Sequence, residues 1–401
     1  MGTPITVFSE DIRSVWGLDP EIHFLNHGSF GACPIAVLEH QTQLRERVER
    51  QPVRFFLREM QAMLDDSRQA LAGFVGASPA DLVFVANATT GVNTALRSVK
   101  LEAGDEVLVT NQEYNACRNA LNEVAAVKGV KVVVVEIPFP MDDRDLVESF
   151  VAAVTPKTRL LLIDHVISQT AMVLPLNPIV AKMNELGIDT IVDGAHAPGM
   201  LPLNLDELGA TYYTGNCHKW MCAPKGLAFL HVRHDRRTTT RPLVISHGAN
   251  AKVSPEARFH QEFDWMGTSD PSAVLSLPFL ISYMDGLVEG GWDIIMRHNH
   301  ALALEARDIL CAALGVEPAC PEDMVGSMIA VPLPAGKEIA KSSVFFIDPL
   351  QDRLLFEHQI EVPIIPWPSS PSRLIRLSAQ LYNTRSQYEI LASVLPKLLA
   401  D

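Results

Sequence analysis

Two stretches decide how this chain folds: residues 190–199, TIVDGAHAPG, and residues 215–226, GNCHKWMCAPKG. Each lies at or just past an apolar run of β character, 190–195 and 211–219. Asp193 and Lys219 stand near the ends of those runs. In a parallel sheet the strand ends share one edge, and ligands bind in the crevice there. A carboxylate and an amine are therefore expected to face one site.

Further apolar runs lie on both sides of these two: 82–86, 106–110, 130–137, 159–166 and 226–232. Helical periodicity fills most of the gaps, at 91–100, 115–127, 143–154 and 178–186. Strands alternating with helices predict a mostly parallel seven-stranded sheet with helices on both faces, an α/β fold. Continuous apolar runs such as KVVVVEI and RLLLI predict strands covered on both faces. The link between 210–216 and 226–232 is too short for a helical crossover, so one of the two should run antiparallel. Residues 34–75 read as two amphipathic helices parted near Gln51-Pro52. Their faces also suit a coiled coil, but each is short, and packing on the sheet or on a second copy is the preferred reading.

The pattern changes near residue 271. Helical stretches at 271–289 and 292–314 precede short strand-like pieces at 328–333, 343–346, 364–365 and 374–378, then a helix over 385–399. The expected organisation is an N-terminal segment (1–30) near the site, a large ligand-binding domain (31–270) and a smaller α+β domain (271–401).

Composition narrows the function. The 401 residues carry 33 Lys+Arg against 47 Asp+Glu, a net charge of −14, with no basic arm. Such a surface argues against nucleic acid or an anionic membrane as partner. No stretch has the length of a membrane span, and the N-terminus has no apolar signal core. The six cysteines are irregularly spaced and read as free thiols of a cytoplasmic protein. Cys217 and Cys222 flank His218, yet no second Cys/His pair answers them, so no metal is expected.

Pyridoxal phosphate asks its protein for a lysine that forms a Schiff base and an acid that pairs with the pyridinium nitrogen. Lys219 and Asp193 supply that pair. Lys225, in a Pro-Gly turn, is the competing amine. A salt bridge or a helix cap is the competing role for Asp193. His196, three residues past Asp193, can reach the same ligand. Residues 87–91, NATTG, follow a strand and open a helix, which suits a phosphate or merely caps the helix. His218 is a second phosphate candidate. Tyr114, at another strand end, can stack on a planar ring or pack as a half-buried aromatic. Arg376 sits inside an apolar strand, where an unpaired guanidinium is costly. It suits a substrate carboxylate, and Arg373 is its solvated alternative. His23, His27, Phe55 and Phe56 are candidates for shaping a side-chain pocket.

Taken in order, FLNHGSFGACP, QPVRFFLREM, NATTGVN, EYNA, DHVISQTAMVLP, DGAHAPG, GNCHKW, GTSD and IRLSAQLYNT span nearly the whole chain. The set resembles the class V aminotransferases among fold-type I pyridoxal phosphate enzymes, and within them the isopenicillin N epimerase-like branch. That resemblance implies Lys219 as the Schiff-base lysine, Asp193 as the pyridinium partner and His196 beside the ring oxygen. It implies that Tyr114 stacks on the ring and that Thr89, Thr90, Asn216 and His218 contact the phosphate. It also implies that Thr268 reaches the phosphate of a second subunit, hence a homodimer. Arg376 would grip the substrate carboxylate, with Asn26, His27 and Gln169 lining the site. The implied activity is Cα chemistry on an amino acid, epimerisation first, with C–S lysis or transamination as alternatives. A related branch, the cysteine desulfurases, carries a sulfur-accepting cysteine shortly before the arginine. Residues 361–373 contain none, which argues against a desulfurase. A dehydrogenase lacks its GxGxxG turn here. A non-catalytic protein of this fold would be expected to have lost part of the Asp193, Lys219 and Arg376 set.

Overall fold

A computed structural model describes residues 10–142, 144–337 and 347–400. Its strands are β1 (His23–Phe24), β2 (Leu82–Val85), β3 (Glu106–Thr110), β4 (Lys131–Val135), β5 (Thr158–Asp164), β6 (Asp189–Asp193), β7 (Tyr212–Asn216), β8 (Ala228–Val232), β9 (Met328–Leu333), β10 (Ile360–Glu361), β11 (Ile364–Pro366) and β12 (Arg373–Ser378). Seven of them form one sheet in the order β2-β8-β7-β6-β5-β3-β4. The pairs from β7 through β4 are parallel, and β8 runs against both of its neighbours. The short link after β7 thus does what its length requires, and β8 is the reversed strand.

Side chains of the central strands divide between two cores. Leu161 and Ile163 of β5 join one, and Leu160 and Leu162 join the other. That is the period-two alternation of a sheet covered on both faces. The valine run of β4 is the exception. Val134 is 40% exposed, because β4 is an edge strand and its cover is partial. The run therefore overstated the burial of this strand.

Helices Ala88–Ser98, Asn115–Lys128, Leu146–Ala153 and Leu176–Glu185 connect the parallel strands. Two helices precede the sheet, Ile35–Arg50 and Met60–Val75. A short helical turn at Pro52–Arg54 and a π turn at Phe55–Glu59 join them, beside the predicted break. The first buries Val37, Gln41, Leu44 and Val48, one stripe along its length. The stretch expected at 271–289 forms two helices, Ser272–Leu275 and Leu277–Asp285. Two ten-residue helices were not foreseen. Pro255–Asp264 and Pro349–His358 are short, and each starts with proline behind a capping Ser254 or Asp348.

Beyond the large sheet, β11, β12 and β9 form an antiparallel sheet. The helix Gly291–Leu314 packs on β9 and against the final helix Arg385–Ala400. The expected strand at 343–346 lies outside the described residues. The start of the chain returns to this part of the molecule. β1 pairs in parallel with β10, and the Leu25 carbonyl accepts from the Ser378 N–H at 2.9 Å. No helix among the described residues is long and apolar enough to cross a membrane. All six cysteines are unpaired.

Candidate active site

The site gathers at the ends of β3, β5, β6 and β7. Asp193 is the last residue of β6, and Asn216 the last of β7. Two glycines let the segments converge. Gly199 holds φ +83°, and a Cβ there would lie 2.5 Å from the Trp220 carbonyl carbon, so only glycine lets the DGAHAPG turn meet the HKW turn. A Cβ on Gly91 would come within 2.1 Å of Thr214 Oγ1, so its absence allows the helix Ala88–Ser98 to lie against β7.

Lys219 Nζ lies 3.0 Å from His196 Nε2. On the other side of that ring, Trp220 Nε1 donates to His196 Nδ1 at 3.3 Å. An indole N–H can only donate, so Nδ1 is the acceptor and the neutral ring carries its proton on Nε2. That Nε2–H then points at Lys219, which can accept it only as a neutral amine. The electrostatics agree. Burial and the Arg376 guanidinium push Lys219 down to about 8, against the pull of Asp193 and Asp164. Burial pushes His196 well down too, with Lys219 adding to it. The competing lysine, Lys225, is exposed.

Asp193 is buried. It accepts from Cys117 Sγ at 3.0 Å and from the Ala195 N–H at 3.0 Å. Burial raises its carboxyl and these two donors lower it. Neither competing role, ion pair or helix cap, is what holds it.

At the phosphate candidate, the cap is Asn87 rather than a threonine. Its Oδ1 accepts from the Thr90 N–H at 2.8 Å and the Thr90 hydroxyl at 3.0 Å. Asn216 Oδ1 takes the Ala88 N–H at 2.8 Å and so ties the end of β7 to the helix start. Thr89, second in the helix, has no carbonyl four residues back within it, which leaves its N–H for a ligand. His218 Nδ1 donates to the Leu227 carbonyl at 2.9 Å, and burial lowers this ring to about 4. Its Nε2 is then bare, and it can donate to an anion only once the ring is protonated.

Arg376 is buried in β12. Its Nη2 donates to Ser29 Oγ at 2.9 Å, and its Nη1 to the Ser168 carbonyl and hydroxyl. Its Nε has no partner. Burial lowers this guanidinium to about 10. Ser29 in turn donates to Asn26 Oδ1 at 2.5 Å. Gln169 Oε1 is another buried atom without a partner. Arg373 is not solvated as expected. It pairs with Asp348 at 2.8 Å, because the unforeseen helix at 349 brings that cap residue over it.

His27 takes a different position from a pocket-lining residue. Its Nδ1 meets the Tyr382 hydroxyl at 2.7 Å and its Nε2 the Lys219 carbonyl at 3.0 Å, so it braces the lysine's backbone. Tyr114 is 41% exposed at the start of the helix Asn115–Lys128, near enough to Arg376 and Asp193 for their charges to act on it. Thr268 is exposed and makes no hydrogen bond with the Lys219 group among the described residues. Sequence reasoning missed Trp220, Ser29, Ser168 and Cys117 as supports. Trp220, as the third residue of the HKW motif, and Ser29 and Ser168, inside FLNHGSFGACP and DHVISQTAMVLP, lay within quoted motifs, but nothing in those stretches marked their role.

The assembled donor set suits one cofactor: a buried amine lowered to about 8, a supported carboxylate, an open N–H at Thr89 and an arginine with an unused N–H. The chain belongs to the class V aminotransferase family, whose model, aminotransferase class-V, matches residues 34–344. Among its relatives, an isopenicillin N epimerase of Amycolatopsis lactamdurans is 35% identical over 401 residues, covering 96% of this chain and 97% of that protein. A probable chloroplastic L-cysteine desulfhydrase of Arabidopsis thaliana is 30% identical over 424 residues, covering 99% and 87%. In three dimensions the chain matches a C-DES variant solved with glycine covalently linked to its pyridoxal phosphate, at a TM-score of 0.78. That match covers 96% of this chain and 98% of the other at 20% identity, a likeness of fold. The protein is a pyridoxal phosphate-dependent enzyme of fold-type I.

Proposed function

We propose that this enzyme works at Cα of an amino-acid substrate, with Lys219 as the residue that both holds the cofactor and moves the Cα proton. Pyridoxal phosphate, when bound, supplies an aldehyde for amines and a ring that withdraws electrons from Cα. Asp193 would hold the ring nitrogen as its counter-charge, and His196 would hold the ring oxygen. The helix start at Thr89 and Thr90, with Asn216 and His218, would hold the phosphate. Tyr114 would stack on the ring. Arg376 offers its unpartnered Nε to the substrate carboxylate, with Gln169 and Asn26 nearby. The observation that carries this reading is the geometry around Lys219. Trp220 fixes the His196 tautomer, and His196 in turn favours the neutral amine, the form that can attack an aldehyde or accept a proton.

Epimerisation is the first outcome, since the relative at 35% identity is named for it. C–S lysis is the second, favoured by the plant relative named as a desulfhydrase. Transamination is the third. The absence of cysteine from residues 361–373 speaks against sulfur transfer through an enzyme persulfide. The enzyme is proposed to be a cytoplasmic homodimer, with Thr268 reaching the phosphate of the neighbouring subunit.

The test offers the holoenzyme a panel of L- and D-amino acids and S-substituted cysteines in deuterated water. Racemisation with Cα deuteration supports the first outcome. Pyruvate with ammonia supports the second, and keto acid the third. Substitution Lys219→Ala is expected to abolish covalent attachment of the cofactor, read as a mass shift after borohydride reduction. A mutant that retains the adduct would overturn the assignment of Lys219.

A further inference from the structure

Behind Asp193 lies a set of groups with no part in the chemistry above. Glu113 closes the loop after β3, just ahead of the helix that carries Cys117. Asp164 ends β5 and is in register with Asp193 on β6. One ligating atom from each of Glu113, Cys117 and Asp193 lies within 4.8 Å of the other two. All four residues are buried.

Their hydrogen bonds are shared unequally. Asp193 has two donors, the Cys117 thiol and the Ala195 N–H. Asp164 has the Tyr114 N–H, while its Oδ2 is unpartnered. Both carboxyl oxygens of Glu113 lack any partner, although the residue is only 6% exposed. The charged groups acting on Glu113 are Asp193 from β6 and Arg118 from the helix behind it, and Asp164 on β5 feels Glu113 in return. Arg118 donates to Asn122 on the exposed side of that helix. Lys219 acts on Asp193 and Asp164. Several carboxylates in one dry pocket cannot all ionise, and the one without donors keeps its proton. Burial and the Asp193 charge both push Glu113 well up, and burial with Glu113 pushes Asp164 well up too, so the missing donors on both Glu113 oxygens are what single it out.

We propose that Glu113 is a positioning residue that stays a neutral carboxylic acid and backs Asp193, leaving Asp193 as the single charge offered to the cofactor's ring nitrogen. The proposal rests on the role of Asp193 given above. A neutral Glu113 has one O–H to donate, and the Asp193 carboxylate, within 4.8 Å, is the acceptor proposed for it. An ionised Glu113 would instead place a second negative charge behind the first and pull Lys219 toward its ammonium form.

Infrared spectra of the wild type and of Glu113→Gln, taken with and without pyridoxal phosphate, test this. A carboxylic acid carbonyl band at neutral pH that disappears in E113Q is the expected result. In the loaded enzyme, the pH midpoint of the cofactor's visible absorbance should be the same in both proteins, because no charge has been removed. The proposal is overturned if E113Q loses carboxylate absorption instead, or if that midpoint falls by roughly half a unit or more. Should E113Q fail to fold, Asp164→Asn decides, because it removes the other buried carboxyl that could carry the band. A protonated carboxyl band that persists at about pH 8 supports the proposal, and its loss by about pH 6 overturns it. The role of Asp193 is judged separately, by whether Asp193→Ala alters the visible absorbance of bound cofactor, whereas the Glu113 band is read on cofactor-free protein.

Discussion

Trp220 governs the proton at Lys219 from one ring away. Replacing it with phenylalanine removes the donor to His196 Nδ1, so the imidazole can turn its lone pair toward Lys219 and accept from an ammonium. Trp220→Phe should therefore raise the Lys219 midpoint by roughly one unit from its value of about 8. The pH dependence of cofactor uptake reads it, since uptake needs the neutral amine and rises as pH passes the midpoint. An unchanged or lowered midpoint would show that the indole does not set the tautomer. Arg376→Ala removes a cation that opposes the ammonium, so it too should raise the midpoint. It should also weaken substrate binding by about 10- to 100-fold in KM, the worth of a charge-assisted hydrogen bond. A KM that stays put would remove Arg376 from the carboxylate site. Charged residues at the ends of apolar runs were legible in the chain because water would normally claim them. Ser29, Ser168 and Cys117 were not, because small polar residues acquire meaning only from partners that lie far along the sequence.

The helix Ala88–Ser98 turns one glycine and one cap into a ligand site. Gly91→Ala would drive a methyl into Thr214 and push the helix start away from β7. The expected cost is about 1–3 kcal/mol of stability, as for other overpacked cores. Cofactor affinity should fall with it, because the Thr89 N–H moves with the helix. Asn87→Ala removes two acceptor contacts at the cap and should cost about 1 kcal/mol. Thermal unfolding of the cofactor-free protein gives both stabilities, and a G91A protein as stable as the parent would contradict the close approach. At this scale the alternation of strands and helices was readable, and so was the reversal of β8, since a short link admits no crossover. The edge position of β4 was not, because a valine run looks alike wherever it sits in a sheet. The helices at 255 and 349 were passed over for want of a long apolar stripe.

Across the whole molecule, the exposed apolar residues include Phe30, Ile35, Leu38, Val53 and Leu57, which come from adjoining segments near the chain start. The Arg47–Glu59 ion pair at 2.7 Å joins the helix Ile35–Arg50 to the π turn that bears Leu57. Exposed apolar side chains such as these suit an association surface, and a second copy of the chain is its proposed occupant. Leu57→Asp should shift the protein toward monomer in sedimentation velocity and, on the proposed role of Thr268 at a neighbouring site, reduce activity. An L57D protein that sediments like the parent would place the interface elsewhere. One further result follows from the pairing of β1 with β10. Asn26 and Ser29, which steady Arg376, are anchored to a strand that lies far along the sequence, at Ile360–Glu361, so this wall of the cavity closes only once that strand has been made. A nascent polypeptide can carry the lysine and its aspartate before β10 has emerged, but not the anchored wall beside Arg376.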